Sequence, residues 1–148
     1  MDKTLQTGEK IFFTNLILCI VSYIYFTILP LNEITLSIGY IFFIAYFGIN
    51  FYVGNTSDLN ILESLIVGTI GCAIGLFLLF FALYAEIIMK NSEVALWLIR
   101  PYFMPTMSLV KILFDDITII YPILLIVINI SLVLMGSITR KIMNKFKV

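Results

Sequence analysis

The sequence predicts an all-α, polytopic membrane protein: a bundle of four transmembrane helices with an amphipathic interfacial segment between the third and the fourth. Three observations carry that prediction. Of the 148 residues, 61% are hydrophobic and 12% charged, whereas a soluble domain holds roughly 45–50% apolar and about 25% charged residues. Four stretches are long and apolar enough to cross a hydrocarbon core, which takes about 20 residues. The lysines and arginines gather at the two ends and in one connection. Residues 1–148 are read as one integral membrane domain with the lipid bilayer as first partner.

The first span, residues 11–31, is "IFFTNLILCIVSYIYFTILPL". It is longer than a signal-peptide core of about 7–15 residues and does not end in small residues, so it reads as a retained span. Asn15, Cys19 and Ser22 share one face. The second span covers 34–53, and Gly54–Asn60 reads as a connection. Strand alternation is absent, and in lipid each backbone must satisfy its own hydrogen bonds, so helices are expected despite many β-branched and aromatic residues.

The third span, residues 61–89, is centred on Ser64–Ala85. Ser64, Gly68, Gly71, Gly75 and Ala82 fall in a narrow sector, and Gly71 to Gly75 forms a GxxxG pair. Small residues let helix backbones approach closely, and packing then supplies the association that lipid cannot. The stripe predicts either packing within the chain or an oligomer face. Leucine at Gly71 or Gly75 is expected to disrupt assembly. Glu63 suits the positive end of the helix dipole. Glu86 precedes Lys90 by four residues, the favourable order for a helix pair, so Glu86→Gln should do little. The fourth span, 117–138, places Pro122, Asn129 and Gly136 on one face, with a kink expected at Tyr121-Pro122. Asn129 sits near mid-span and needs a partner.

Orientation follows the cations. Lys3 and Lys10 precede the first span. Arg140, Lys141, Lys145 and Lys147 lie in a basic tail, 139–148. Both termini are therefore expected in the cytoplasm of a cell membrane, a bacterial plasma membrane on composition, which requires an even number of crossings.

The segment 92–115 is the ambiguous one. From Ser92, read as an N-cap, Glu93, Trp97 and Arg100 share a face, and Arg100-Pro101 should end that helix. After Pro105, Ser108, Lys111 and Asp115 form a narrow polar stripe. The expectation is two short helices at the interface, with Trp97 and Tyr102 at headgroup level and Arg100 and Lys111 reaching water. A re-entrant dip preserves the even count. A fifth span would carry Arg100 into lipid at roughly 2.5–3.5 kcal/mol.

Chemistry is hard to find. The chain has no histidine, the commonest general base and metal ligand. It lacks a G-x-S-x-G elbow, a phosphate loop and zinc spacing. Cys19 and Cys72 read as small buried hydrophobes. Asp115 and Asp116 read as a solvated helix start. No enzyme, cofactor, metal or nucleic-acid partner is expected. Asn15, Glu86 and Asn129 are the candidate intramembrane polar groups, a thin set for moving a polar substrate. The expected role is a non-catalytic membrane protein of accessory, regulatory or immunity type, acting through a membrane-protein partner or self-association. A small transporter or channel-forming homo-oligomer is the alternative.

Overall fold

The computed structural model describes residues 3–113 and 117–146, all helical apart from short connections. Seven α-helices follow one another: α1 Lys3–Ile28, α2 Glu33–Thr56, α3 Ile61–Gly71, α4 Ala73–Ile87, α5 Ser92–Phe103, α6 Met107–Leu113 and α7 Ile120–Lys145. A 3-10 turn, Met104–Thr106, joins α5 to α6. Helices α1, α2 and α7 are each long and apolar enough to cross a membrane, and α3 with α4 makes a fourth span if the bent pair is taken together. The protein is therefore a multi-pass helical membrane protein.

Helix α1 buries Thr4, Gly8, Ile11, Asn15, Cys19, Ser22 and Phe26. Their spacing of three and four residues is the period of one helix face. The opposite face, with Phe13, Ile17, Ile20 and Ile24, stays exposed, as a lipid-facing surface should. Helix α2 runs three residues beyond the expected boundary. Its Asn32 cap accepts from the Thr35 amide. Gly54, read from sequence as connection, is buried inside α2, because "VGNTS" holds turn formers that a packed helix overrides.

Gly54 and Gly136 mark the closest backbone approach in the bundle. A Cβ on Gly54 would collide with the Val133 carbonyl, and one on Gly136 with the Phe51 carbonyl. Beyond that crossing, Ser137 Oγ donates to the Leu59 carbonyl at 2.9 Å. Arg140 donates from its guanidinium to the Thr56 carbonyl at the end of α2. The basic tail thus begins as helix and caps its neighbour; Lys147 lies outside the described residues. Asn60 and Glu63 form a reciprocal capping box at the start of α3, so Glu63 is held by local hydrogen bonding as well as suiting the dipole.

The stretch expected as the third span is not straight. Helices α3 and α4 meet at Cys72 with a bend of 60°. The Asn15 amide donates to the Gly71 carbonyl at 3.2 Å, the acceptor a straight helix would offer to residue 75. A side chain inserted into the hydrogen-bond ladder is a sufficient cause of a kink. The kink expected at Pro122 is absent, because Pro122 is the third residue of α7. In a first turn its missing N–H is not needed.

Candidate functional site

The connection between α4 and α7 is two short helices, as the proline breaks imply, and its middle is packed among the other helices. Tyr102 through Ser108 are all buried. Helix α5 runs back along α4, and the turn at its end touches residues near the middle of three spans. A Cβ on Gly75 would meet the Tyr102 ring, with its Cε2 2.5 Å away. The Tyr46 and Tyr102 rings meet edge to face at 6.4 Å. Asn129 donates to the Tyr102 hydroxyl at 3.3 Å, and Cys19 Sγ lies 3.6 Å from the Tyr102 carbonyl. Helix α6 then climbs back, with Ser108 over Gly39 near the start of α2. The middle of the segment is packed inside the bundle: Tyr102, expected at headgroup level, is buried together with Phe103, Met104 and Pro105, because that apex buries more apolar area inside the bundle than on its surface.

Broken backbone at such depth must be buried in protein and have its polar groups satisfied. Thr106 Oγ1 donates to the Phe103 carbonyl at 2.7 Å, and the Tyr121 hydroxyl donates to Thr106 Oγ1 at 2.7 Å. Pro101 lies inside α5 rather than ending it. The helix runs two residues further, because packing of Tyr102 and Phe103 outweighs one lost hydrogen bond. The cap is Asn91, whose side chain accepts from the Val94 amide; Ser92 instead donates to Glu86 Oε1 at 3.1 Å.

The polar residues singled out from sequence go to distinct places. Asn15 pairs with Asn50 through two amide hydrogen bonds of 3.3 Å each, and Asn50 also donates to the Tyr46 carbonyl at 2.7 Å. Asn50 escaped the sequence reading, although Tyr46, Asn50 and Gly54 recur every four residues along one face. Asn129 Oδ1, fully buried, accepts from no described side chain. Glu86 makes no helix pair with Lys90, because α4 ends at Ile87 and Lys90 turns away with φ 51°. With Ser92 as its neutral partner, Glu86→Gln should change the unfolding free energy in detergent by less than about 1 kcal/mol. A larger loss would mean that its charge holds the α4–α5 junction.

Of the small-residue stripe, Ser64 and Ala82 are buried. Gly68 faces Ile130 of α7, Gly71 faces Ile11 of α1, and Gly75 faces Tyr102. Among the described residues, no three Cys, Asp or Glu side chains gather to hold a metal ion.

Where α5 and α6 spread apart, they open a groove of about 400 Å³ at the end of the bundle opposite Arg140. Arg100 from α5 and Lys111 from α6 line it together with Glu93 and Trp97. The apolar floor includes Phe103 and Met107, each almost fully buried. Trp97 is 67% exposed. Neither Arg100 nor Lys111 has a hydrogen bond or ion pair among the described residues. The three interfacial candidates thus share one cleft, brought there by a fold that spacing along two separate helices could not show. The adjacent acids Asp115 and Asp116 lie outside the described residues. No protein-family model, curated protein or solved structure matches the chain.

Proposed function

We propose that the protein is a non-catalytic membrane component that works by binding, and that the groove between α5 and α6 is its working surface. One observation carries this. The interior amides are spent mainly on the fold, Asn15 on Asn50 and Gly71, Asn129 on Tyr102, while Arg100 and Lys111 line an open cleft without a hydrogen bond or ion pair among the described residues. Such cations beside apolar side chains are what a contact surface offers, and they do nothing for the bundle itself. The sequence reading of an accessory, regulatory or immunity role fits such a surface. With both termini on the cytoplasmic side, the groove opens to the other face.

Capture of the tagged chain from native membranes in mild detergent, with mass spectrometry of the eluate, tests this. A stoichiometric second protein is expected, and it should be lost when Trp97→Ala and Lys111→Gln are combined. Both side chains are exposed, so the bundle should survive. Capture that ignores these substitutions removes the groove from the proposal.

A second reading has its own support. The unpaired Asn129 Oδ1 lies fully buried beside Tyr102, a polar group free at depth, as a small transporter or pore would use. A clean homo-oligomer without a second protein, and flux abolished by Asn129→Leu, would favour it.

A further inference from the structure

We propose that the α5–α6 groove holds the headgroup of an anionic phospholipid, with its phosphate between Arg100 and Lys111 and its chains against the exposed Leu31 and Trp97. The proposal rests on the reading that this groove is the working surface, and makes the seated lipid part of the surface that a protein partner meets. Among the described residues, two cations and the Glu93 carboxylate give the groove one net positive charge. A phosphate diester on an uncharged alcohol carries one negative charge, which matches. Guanidinium binds phosphate oxygens through two parallel hydrogen bonds, and lysine adds a point charge. Arg100 and Lys111 stand on opposite arms of the helix pair, so one phosphate between them would tie α5 to α6.

The apolar side of the groove decides for an amphiphile over a free anion. Trp97 and Leu31 are the exposed apolar side chains of the lining, and inorganic phosphate would leave them uncovered. Leu31 and Trp97 extend from the groove to the exposed surface, where acyl chains would continue into the bilayer. A tryptophan at that level is the usual marker of the headgroup layer. The cavity of about 400 Å³ fits a headgroup and the first carbons of its chains rather than a whole lipid.

Trp97 is the only tryptophan in the chain, so its fluorescence reports on this groove alone. The full chain, in uncharged maltoside micelles, is titrated with short-chain phosphatidylglycerol, phosphatidylcholine of the same chains, inorganic phosphate and a poly-aspartate peptide. A saturable emission change with phosphatidylglycerol is expected, with phosphatidylcholine clearly weaker. Arg100→Gln or Lys111→Gln should weaken it about five-fold each, and the pair about thirty-fold. Arg100→Lys should restore most of the binding. Lys111 is exposed, so Lys111→Gln should leave the bundle folded. Equal responses to the two lipids, unchanged in Lys111→Gln, would overturn the proposal. So would an equal response to inorganic phosphate, which makes a free-anion site, or a tighter one to the peptide, which makes a protein-docking site. Loss of lipid selectivity while partner capture still depends on the groove would overturn the lipid and leave the working-surface reading standing.

Discussion

Alanine at Gly54 or Gly136 is expected to separate α2 from α7 and to cost about 3 kcal/mol or more, the upper end of overpacking. The obstacle on each side is backbone. The Gly54 Cβ would fall on the Val133 carbonyl and lie 3.1 Å from the Ser137 amide nitrogen; the Gly136 Cβ would meet the Phe51 carbonyl and sit 2.7 Å from the Asn55 amide nitrogen. A carbonyl in a helix cannot swing away as a side chain can, so the whole helix has to move. That movement would also break the Ser137 to Leu59 and Arg140 to Thr56 hydrogen bonds just beyond the crossing. Against a total stability of about 5–15 kcal/mol, a leucine at either position should prevent folding. Gly48 is the control: nothing lies within 4 Å of a Cβ there, and Gly48→Ala should be neutral or gain about 0.4–1 kcal/mol. Helicity followed through denaturant titration in micelles reads all three. If Gly54→Ala and Gly136→Ala unfold with Gly48→Ala, the two helices do not cross at these glycines.

How far the sequence disclosed this bundle depends on which physical signal each element carries. The three long spans were legible because a continuous apolar run about 20 residues long has one stable form in lipid. The inward faces of α1 and α7 were legible too: Asn15, Cys19 and Ser22, and Pro122, Asn129 and Gly136, are all buried. The bend at Cys72 was not, because its cause is a hydrogen bond from Asn15, 56 residues earlier, and nothing in "GTIGCAIG" announces it. The burial of the α5–α6 apex was hidden for a related reason. "PYFMPTMS" is equally apolar whether it lies on a membrane or inside a bundle. Only the Gly75 gap that receives Tyr102 decides between the two. The sequence reading gave Gly75 to a packing stripe without seeing that its partner was an aromatic ring on the connection itself. The groove shares that history: Arg100 and Lys111 were identified separately as groups reaching water, and the turn between them places both in one cleft.

Leucine at Gly75 is expected to unseat the α5–α6 segment, whereas leucine at Gly71 should weaken the bundle without exposing that segment. The contrast lies in what each glycine faces. A Cβ on Gly71 would be 2.9 Å from Ile11 Cγ2, and an isoleucine can change rotamer to give part of that space. A Cβ on Gly75 would meet the face of Tyr102, with three ring carbons crowded around it. Tyr102 is hemmed in on its other sides by Tyr46 and by the Asn129 amide, so the ring has nowhere to go except out with α5. Departure would leave Asn129 without a partner for its amide, adding the cost of a buried polar group, about 1–3 kcal/mol. The measurement is thiol labelling of Ser108→Cys in a chain carrying Cys19→Ala and Cys72→Ala, with a water-borne maleimide. Ser108 is fully buried, so the parent should label slowly. Gly75→Leu should raise the rate to that of an exposed site such as Lys111→Cys, and Gly71→Leu should leave it near the parent. Equal, slow labelling in all three would mean that Tyr102 does not hold the segment in place. Its packing would then rest on the α6 contacts with α2, where Ser108 sits over Gly39.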